Sequence, residues 1–198
     1  LLCAGCPHIA TEYTLRRLGL RNSAAGEDSE QESDTPADNK LIVTGDIGCY
    51  TLGVYAPLQA LDTTACMGAS IGKALGLSKA GVPNKIVAII GDSTFLHSGI
   101  APLLDVVYNQ GNTTVIIMDN GTTAMTGHQG HPGTGVLAGG TKVPKVNLEA
   151  LVKGIGITDV NVVSAFDLAA IKSTIRRSVE HEGPSVVIVR GDCPRNVK

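Results

Sequence analysis

The feature that most constrains the fold is a pair of short, unbroken apolar runs, Ile86-Val87-Ala88-Ile89-Ile90 and Val115-Ile116-Ile117-Met118. A strand with one face in water alternates apolar and polar residues, whereas a strand covered on both faces has no polar side to show. These runs therefore read as the centre of a sheet with helices above and below it. The flanking sequence repeats the alternation. Strand Leu41–Thr44 precedes a helix over Thr64–Ala80, Lys85–Ile90 precedes one over Gly99–Asn109, and Thr113–Met118 leads through a long loop to one over Leu148–Lys153. Strand Val160–Val163, helix Asp167–Glu180 and strand Ser185–Arg190 complete the series. Strand–helix–strand alternation predicts a parallel sheet with right-handed crossovers, an α/β fold sandwiched by helices.

The beginning of the chain differs. A helix is expected from about Ile9 to Leu18, ended by Gly19. Positions 22–40, rich in Glu, Asp, Ser and Gln, hold almost nothing to bury and read as a flexible acidic insertion. The expectation is one domain over residues 1–198, of a size that buries one full core. With 24 Gly, two Phe and no Trp, the composition suits an α/β domain whose loops approach ligands closely. A net charge of −2 gives no basic stripe for nucleic acid. No apolar run reaches the ~20 residues of a membrane span, and no secretion signal is evident. The first residue is Leu rather than Met, as in a piece of a longer protein. Five cysteines without a secretion signal point to metal or redox chemistry in a reducing compartment, so a cytoplasmic protein is expected.

The same pattern locates the chemistry. Gly45-Asp46-Ile47-Gly48-Cys49, Gly91-Asp92-Ser93 and Asp119-Asn120-Gly121-Thr122 each follow an apolar strand directly. All three should lie at the carboxyl edge of one sheet, where open α/β folds bind ligands. Asn120 comes twenty-eight positions after Asp92, one strand–helix–strand unit later. Mg²⁺ takes hard oxygens in octahedral geometry and commonly combines one or two protein groups with phosphate and water. The Asp92 carboxylate, the Asn120 side-chain oxygen and the Thr122 carbonyl would supply three, with two diphosphate oxygens and a water completing six. Ser93 and the backbone N–H groups after it could hold phosphate. Each piece alone has a plainer meaning: Asp92 or Ser93 as the cap of a helix beginning near Ser98, and Asn120-Gly121 as an ordinary turn. Their combination on two strand ends is far more specific.

With Asn120, Gly91-Asp92-Ser93 resembles the Gly-Asp-Gly…Asn motif of thiamin-diphosphate enzymes, Ser93 standing where Gly is usual. Met125-Thr126-Gly127-His128-Gln129 resembles the Met-Thr-Gly-Gly-Gln segment of 2-oxoacid:ferredoxin oxidoreductases. Cys3-Ala-Gly-Cys6-Pro7-His8, Gly45 to Gly53, Cys66 to Gly72 and Thr126 to Pro132 together resemble the indolepyruvate ferredoxin oxidoreductase α-subunit family, from the first residues to about Thr134. The resemblance implies a thiamin-diphosphate-binding fold of the pyrophosphate type, in which Gly48, Cys49, Gly68, Gly91, Asp92, Ser93, Asn120, Thr122 and Thr123 hold the cofactor. It implies oxidative decarboxylation of an aryl 2-oxoacid with CoA, giving an acyl-CoA, CO₂ and reduced ferredoxin. It also implies a separate pyrimidine-binding domain carrying the activating glutamate, a ferredoxin-like domain elsewhere in the subunit, and an oligomer. A chain lacking those parts should be inactive alone.

Related oxidoreductases bind a proximal [4Fe-4S] cluster through a Cys-x-x-Cys pair, a Gly-Cys loop and a late Cys-Pro. Cys3 and Cys6, Cys49, and Cys193-Pro194 match these three elements. Four such thiols also suit zinc, and Cys3 with Cys6 could be a reduced loop pair. Cys66, on a Gly- and Ala-rich helix start, is expected to pack or to line the cleft. His8, His97, His128 and His131 fall in these motifs or on strand-end loops. His128 and His131, flanking Gln129 after the metal-binding turn, are the candidates for catalysis, the others being read as loop histidines. His181 is expected to be structural or exposed, and Glu12, on an early amphipathic helix, to lie at the surface. Three rival readings remain at this stage. A non-oxidative thiamin-diphosphate decarboxylase has no use for the four cysteines. A nucleotide-binding module would want a Gly-x-Gly-x-x-Gly turn that Gly45-Asp46-Ile47-Gly48 does not provide. A purely structural cluster carrier leaves Asp92 and Asn120 without a purpose.

Overall fold

A computed structural model describes residues 2–19 and 41–196, so the acidic stretch at about 22–40 lies outside the described residues. Helix α1 (His8–Gly19) leads to strand β1 (Leu41–Gly45), a 3₁₀ turn (Cys49–Val54) and a short strand β2 (Thr63–Thr64). Helix α2 (Ala69–Lys79) and strand β3 (Lys85–Gly91) follow. The chain then runs without a break through α3 (Asp92–Thr94), a π turn (Phe95–Gly99) and α4 (Ile100–Tyr108) into β4 (Thr114–Asp119). Helix α5 (Leu148–Ile155), strand β5 (Asp159–Ser164), helix α6 (Leu168–Glu180) and strand β6 (Ser185–Arg190) complete the element order.

All six strands pair in parallel, in the order β2-β1-β3-β4-β6-β5. The unbroken apolar runs have the meaning their pattern predicts. Val87, Ile89, Ile116, Met118, Val187 and Val189 meet Leu15 of α1 and Ile171 and Ile175 of α6 on one face. Ile86, Ala88, Ile90, Val115, Ile117 and Ile188 meet Ile71 of α2, Leu103 and Val106 of α4, and Val152 of α5 on the other. Burying each of these large side chains contributes about 1.5–3 kcal/mol, so the two-sided core dominates stability. From β1 the chain passes to β2 on one side, and from β3 it passes to β4 on the other. The loops at the carboxyl ends of β1 and β3 therefore diverge and open a crevice at the switch of strand order.

Three expectations change. The helix expected over Thr64–Ala80 starts only at Ala69, and Thr63 and Thr64 instead add an edge strand beside Thr44 and Gly45. The helix expected from Gly99 begins at Asp92, seven residues earlier, and Gly99 lies within it. A Cβ on Gly99 would stand 2.7 Å from the Phe95 ring and 3.0 Å from Ile90 Cδ1, so this glycine serves close packing rather than a helix start. Glu12, expected at the surface, is fully buried. Helical spacing puts it on the same inward face as His8 and Leu15, and its carboxyl group occupies the place that a Cβ on Gly53 would take. Among the described residues no helix is long and apolar enough to cross a membrane.

Candidate cofactor and metal site

The three strand-end turns converge as expected. Residues of the Asp46–Tyr50, Asp92–Thr94 and Asn120–Thr126 turns line one cleft, joined by His8 from α1 and Met67 from the approach to α2. Asp92 is buried at the end of β3. Its Oδ1 accepts from the Ser93 N–H at 2.7 Å and its Oδ2 from the Gly121 N–H at 2.9 Å, so one carboxylate ties the β3 turn to the β4 turn. Gly121 sits at φ 70°, the left-handed region that glycine enters without strain. Thr123 Oγ1 donates to Ser93 Oγ at 2.8 Å and closes the same pair of turns from the other side.

Asn120 is buried beside Asp92. Its Oδ1 accepts from the Thr122 N–H at 3.3 Å, and its Nδ2 lies 3.4 Å from His8 Nε2. A second carboxylate, Asp119, stands next to it. Burial pushes the Asp119 carboxyl group above its ordinary value; the Arg190 Nε–H bond at 2.7 Å opposes this and the charge of Asp92 adds to it. Carboxylate, amide and main-chain oxygens gathered on negative ground fit a small, hard cation. Among the described residues no group of three or more His, Cys, Asp or Glu side chains could hold a metal ion. The Asp92, Asn120 and Thr122 set contains only one of those types, so it relies on amide, carbonyl and ligand oxygens for the rest.

The other wall is built by Asp46, which sequence reasoning placed in a motif without a role. Its buried carboxylate accepts from the Gly68 N–H at 2.9 Å, from Ser70 Oγ at 3.1 Å and from the Tyr50 hydroxyl. Burial raises its pKa, and these bonds oppose the rise. The Tyr50 ring then fills the space left open by the absent side chains of Gly48 and Gly91. Gly48 and Gly91, both expected to hold cofactor, thus bring bare backbone to the cleft around one tyrosine. Gly68, expected to do the same, is instead closed in by Ser98.

Cys3, Cys6, Cys49 and Cys193 reach the same corner from three separate stretches of chain. Burial pushes the Cys6 thiol up to about 11; the His8 backbone N–H opposes this, and Cys49, Glu12 and Cys3 raise it further. The Cys49 thiol is likewise raised by burial, then by Cys193 and Cys3. Cys193 is tied to the cleft, since its N–H donates to the Asn120 carbonyl at 3.1 Å. All four are free thiols. Their residue type suits a soft-metal group, but among the described residues they form no group that could hold a metal ion. Cys66 is exposed just before α2, where its charge is felt by Lys73 rather than by the other four cysteines.

The histidines divide differently from expectation. His131 does reach the site: its Nε2 stands 3.2 Å from Asp92 Oδ2, and its Nδ1 accepts from the Gly133 N–H at 3.2 Å. The Nε2 atom, though close to Asp92, makes no hydrogen bond among the described residues. His128 adopts a left-handed φ of 64°, and its buried Nδ1 has no partner among the described residues. His97 is exposed within the π turn, and His181 caps α6. His8 is the residue sequence reasoning set aside. It is almost fully buried, lines the cleft, and packs edge-on against Tyr50 with ring centroids 6.1 Å apart. Burial lowers its pKa to about 4, with nearby Asp92 opposing the shift. The available signal was its place one residue past Cys6-Pro7, at the start of an inward-facing helix.

Comparison with known proteins agrees with this geometry. Residues 46–189 match the family described as thiamine pyrophosphate enzyme, C-terminal TPP binding domain. The chain is 43% identical over 193 residues to the indolepyruvate oxidoreductase subunit IorA of Archaeoglobus fulgidus, covering 98% of this chain and 28% of that protein. It is 42% identical over 192 residues to the same subunit of Methanothermobacter marburgensis, covering 97% of this chain and 29% of that protein. It thus spans under a third of the length of these relatives. The fold matches that of the 2-oxoglutarate:ferredoxin oxidoreductase of Magnetococcus marinus with TM-score 0.80 at 21% identity, covering 100% of this chain and 66% of that one. With its parallel sheet, its switch-point cleft and this match over most of its length, the chain belongs to the family of C-terminal TPP-binding domains of thiamine pyrophosphate enzymes.

Proposed function

We propose that this chain supplies the diphosphate- and Mg²⁺-binding half of the active site of a 2-oxoacid:ferredoxin oxidoreductase. The substrate we assign is an aryl pyruvate such as indolepyruvate, decarboxylated oxidatively to an acyl-CoA with ferredoxin as electron acceptor. The observation that carries the reading is the buried Asp92 carboxylate bonded to both the β3 and β4 turns, with Asn120 beside it at the strand-order switch. Similarity to the IorA subunits supports the choice of substrate and acceptor.

In this reading Asp92, Asn120 and the Thr122 carbonyl hold Mg²⁺. Ser93, Thr123 and the bare backbone at Gly48 and Gly91 take the diphosphate. Thiamin diphosphate, when bound, supplies the carbanion and the electron sink for decarboxylation. The chain's own part is positioning: two turns locked by one carboxylate hold the anionic end of the cofactor before the reaction begins. His131, whose Nε2 stands 3.2 Å from Asp92, and His128 are the groups we assign to proton exchange with substrate. Cys3, Cys6, Cys49 and Cys193 would hold a [4Fe-4S] cluster beside the cofactor for electron exit. A pyrimidine-binding domain or subunit brings the glutamate that this cleft lacks, so the working enzyme is an oligomer or multidomain assembly, which we place in the cytoplasm.

The test is binding. In the full-length protein, calorimetry should show Mg²⁺-dependent association with thiamin diphosphate, and Asp92→Ala should abolish it. Unchanged affinity in Asp92→Ala would overturn the site, and binding independent of Mg²⁺ would remove the metal from it.

A further inference from the structure

We infer that His8 is a positioning residue that sets which end of the Asn120 amide faces the cation. The inference rests on the Mg²⁺ site proposed above and concerns how that site is aimed. The two ends of an amide are alike in shape and opposite in polarity, so packing cannot distinguish them and hydrogen bonds must. At one end Asn120 Oδ1 meets the Thr122 N–H at 3.3 Å, and a flipped amide would set donor against donor there. At the other end Nδ2 lies 3.4 Å from His8 Nε2, and an NH₂ group can only donate, so this ring nitrogen accepts. With His8 Nε2 accepting, the two contacts hold Oδ1 on the Thr122 side and the NH₂ on the His8 side.

The ring is itself held in place. Tyr50 meets it edge-on, with the two planes at 89°, and the Tyr50 hydroxyl is anchored on Asp46. His8 arrives from a helix 112 positions away from Asn120 in sequence, and its ring is fully within the fold. Among the described residues its one hydrogen-bonding contact with a proposed ligand is to Asn120, and Asp92 is felt electrostatically. Partners of this kind behind a metal ligand typically change metal affinity by about 10–100-fold when removed.

The experiment measures Mg²⁺-dependent thiamin-diphosphate binding calorimetrically in the full-length protein, with metal-free thermal stability as the control for folding. His8→Phe keeps a flat ring against Tyr50 but cannot accept a hydrogen bond, and it should weaken the apparent Mg²⁺ affinity by about tenfold. His8→Leu serves where His8→Phe does not fold. His8→Gln offers an acceptor oxygen and should stay within about threefold of wild type. The third arm uses Asn120→Asp, whose two oxygens are equivalent and leave no orientation to set. In that background His8→Phe should cost nothing further, the expected signature of a coupled pair. Undiminished Mg²⁺ affinity in His8→Phe would overturn the inference and leave the binding site standing. An equal loss in His8→Phe and His8→Gln that persists beside Asn120→Asp would overturn it in favour of simple packing. Failure of the wild type to bind thiamin diphosphate with Mg²⁺ would overturn the site and the inference together.

Discussion

The cleft and the cysteine corner share a wall but are built on opposite principles. In the cleft the protein satisfies its own groups: Asp92 and Asp46 each accept from the N–H or hydroxyl groups of neighbouring turns, and the geometry exists before any ligand arrives. In the corner, four free thiols approach one another without closing, and burial makes Cys6 and Cys49 harder to ionise than ordinary cysteines. Thiolates are the ligands that metals take, so the positive charge that favours them must come with the metal group itself. A cleft filled with hydrogen bonds tolerates being empty; a corner of mutually raising thiols would gain its order from the proposed cluster. The two regions should therefore respond independently to damage, although Cys193 and Asn120 are joined by a backbone hydrogen bond.

The largest effect expected follows from that independence. If the proposed cluster is present, Cys6→Ser purified anaerobically should lose nearly all iron and acid-labile sulfide, because one of its four proposed ligands is gone. Its Mg²⁺-dependent affinity for thiamin diphosphate should remain within about threefold of wild type, since Cys6 does not line the cleft. Iron retained in Cys6→Ser, or none in the wild type with its thiols intact, would break the comparison from the side of the corner.

Next in size is the converse damage. Asp46→Ala strands the Gly68 N–H and Ser70 Oγ in a buried place and leaves the Tyr50 hydroxyl only its 3.3 Å contact with the Ile47 carbonyl. Each unsatisfied buried group costs about 1–3 kcal/mol, so the two stranded groups should cost about 2–6 kcal/mol in unfolding free energy by chemical denaturation. A loss below about 1 kcal/mol would show that the wall is not preorganised in this way.

How much of this was legible depends on how far each feature reaches along the chain. The central strands could be read because burial on both faces leaves an unbroken apolar signature within five residues, as at Ile86–Ile90. Asp92 and Asn120 could be read because a strand end fixes both where they lie and which way the sheet points them. The pair Thr63–Thr64 could not, since two residues carry no period, and only β1 alongside makes them a strand. Gly99 misled because a glycine that admits a phenylalanine ring looks, in sequence, like one that begins a helix. His8 and Glu12 were hidden for a deeper reason. Their burial depends on the inward face of α1, and their meaning depends on Asn120 and Gly53 from distant turns. The four cysteines fall between these cases, as spacing reveals the Cys3–Cys6 pair but only the fold brings Cys49 and Cys193 to it.

The smallest effect sharpens the comparison at the boundary between the two regions. Glu12 lies one helical turn below His8 and within electrostatic reach of Cys6, and among the described residues neither of its carboxyl oxygens has a hydrogen-bond partner. Burial raises its pKa from 4.5 to about 8. The folded protein therefore holds a proton that the unfolded chain releases between those values, and stability falls as pH rises through that window. Below about 4.5 both states are protonated and nothing is lost; above about 8 the cost has reached its full size. Glu12→Gln keeps the shape and removes the proton uptake, so it should stabilise the protein by on the order of 1–3 kcal/mol near neutral pH. That gain should vanish in acid and level off in alkali when unfolding is followed across the range. A gain independent of pH would mean that the carboxyl group is ionised and paired in the fold, and that the ground between corner and cleft is as well satisfied as the cleft itself.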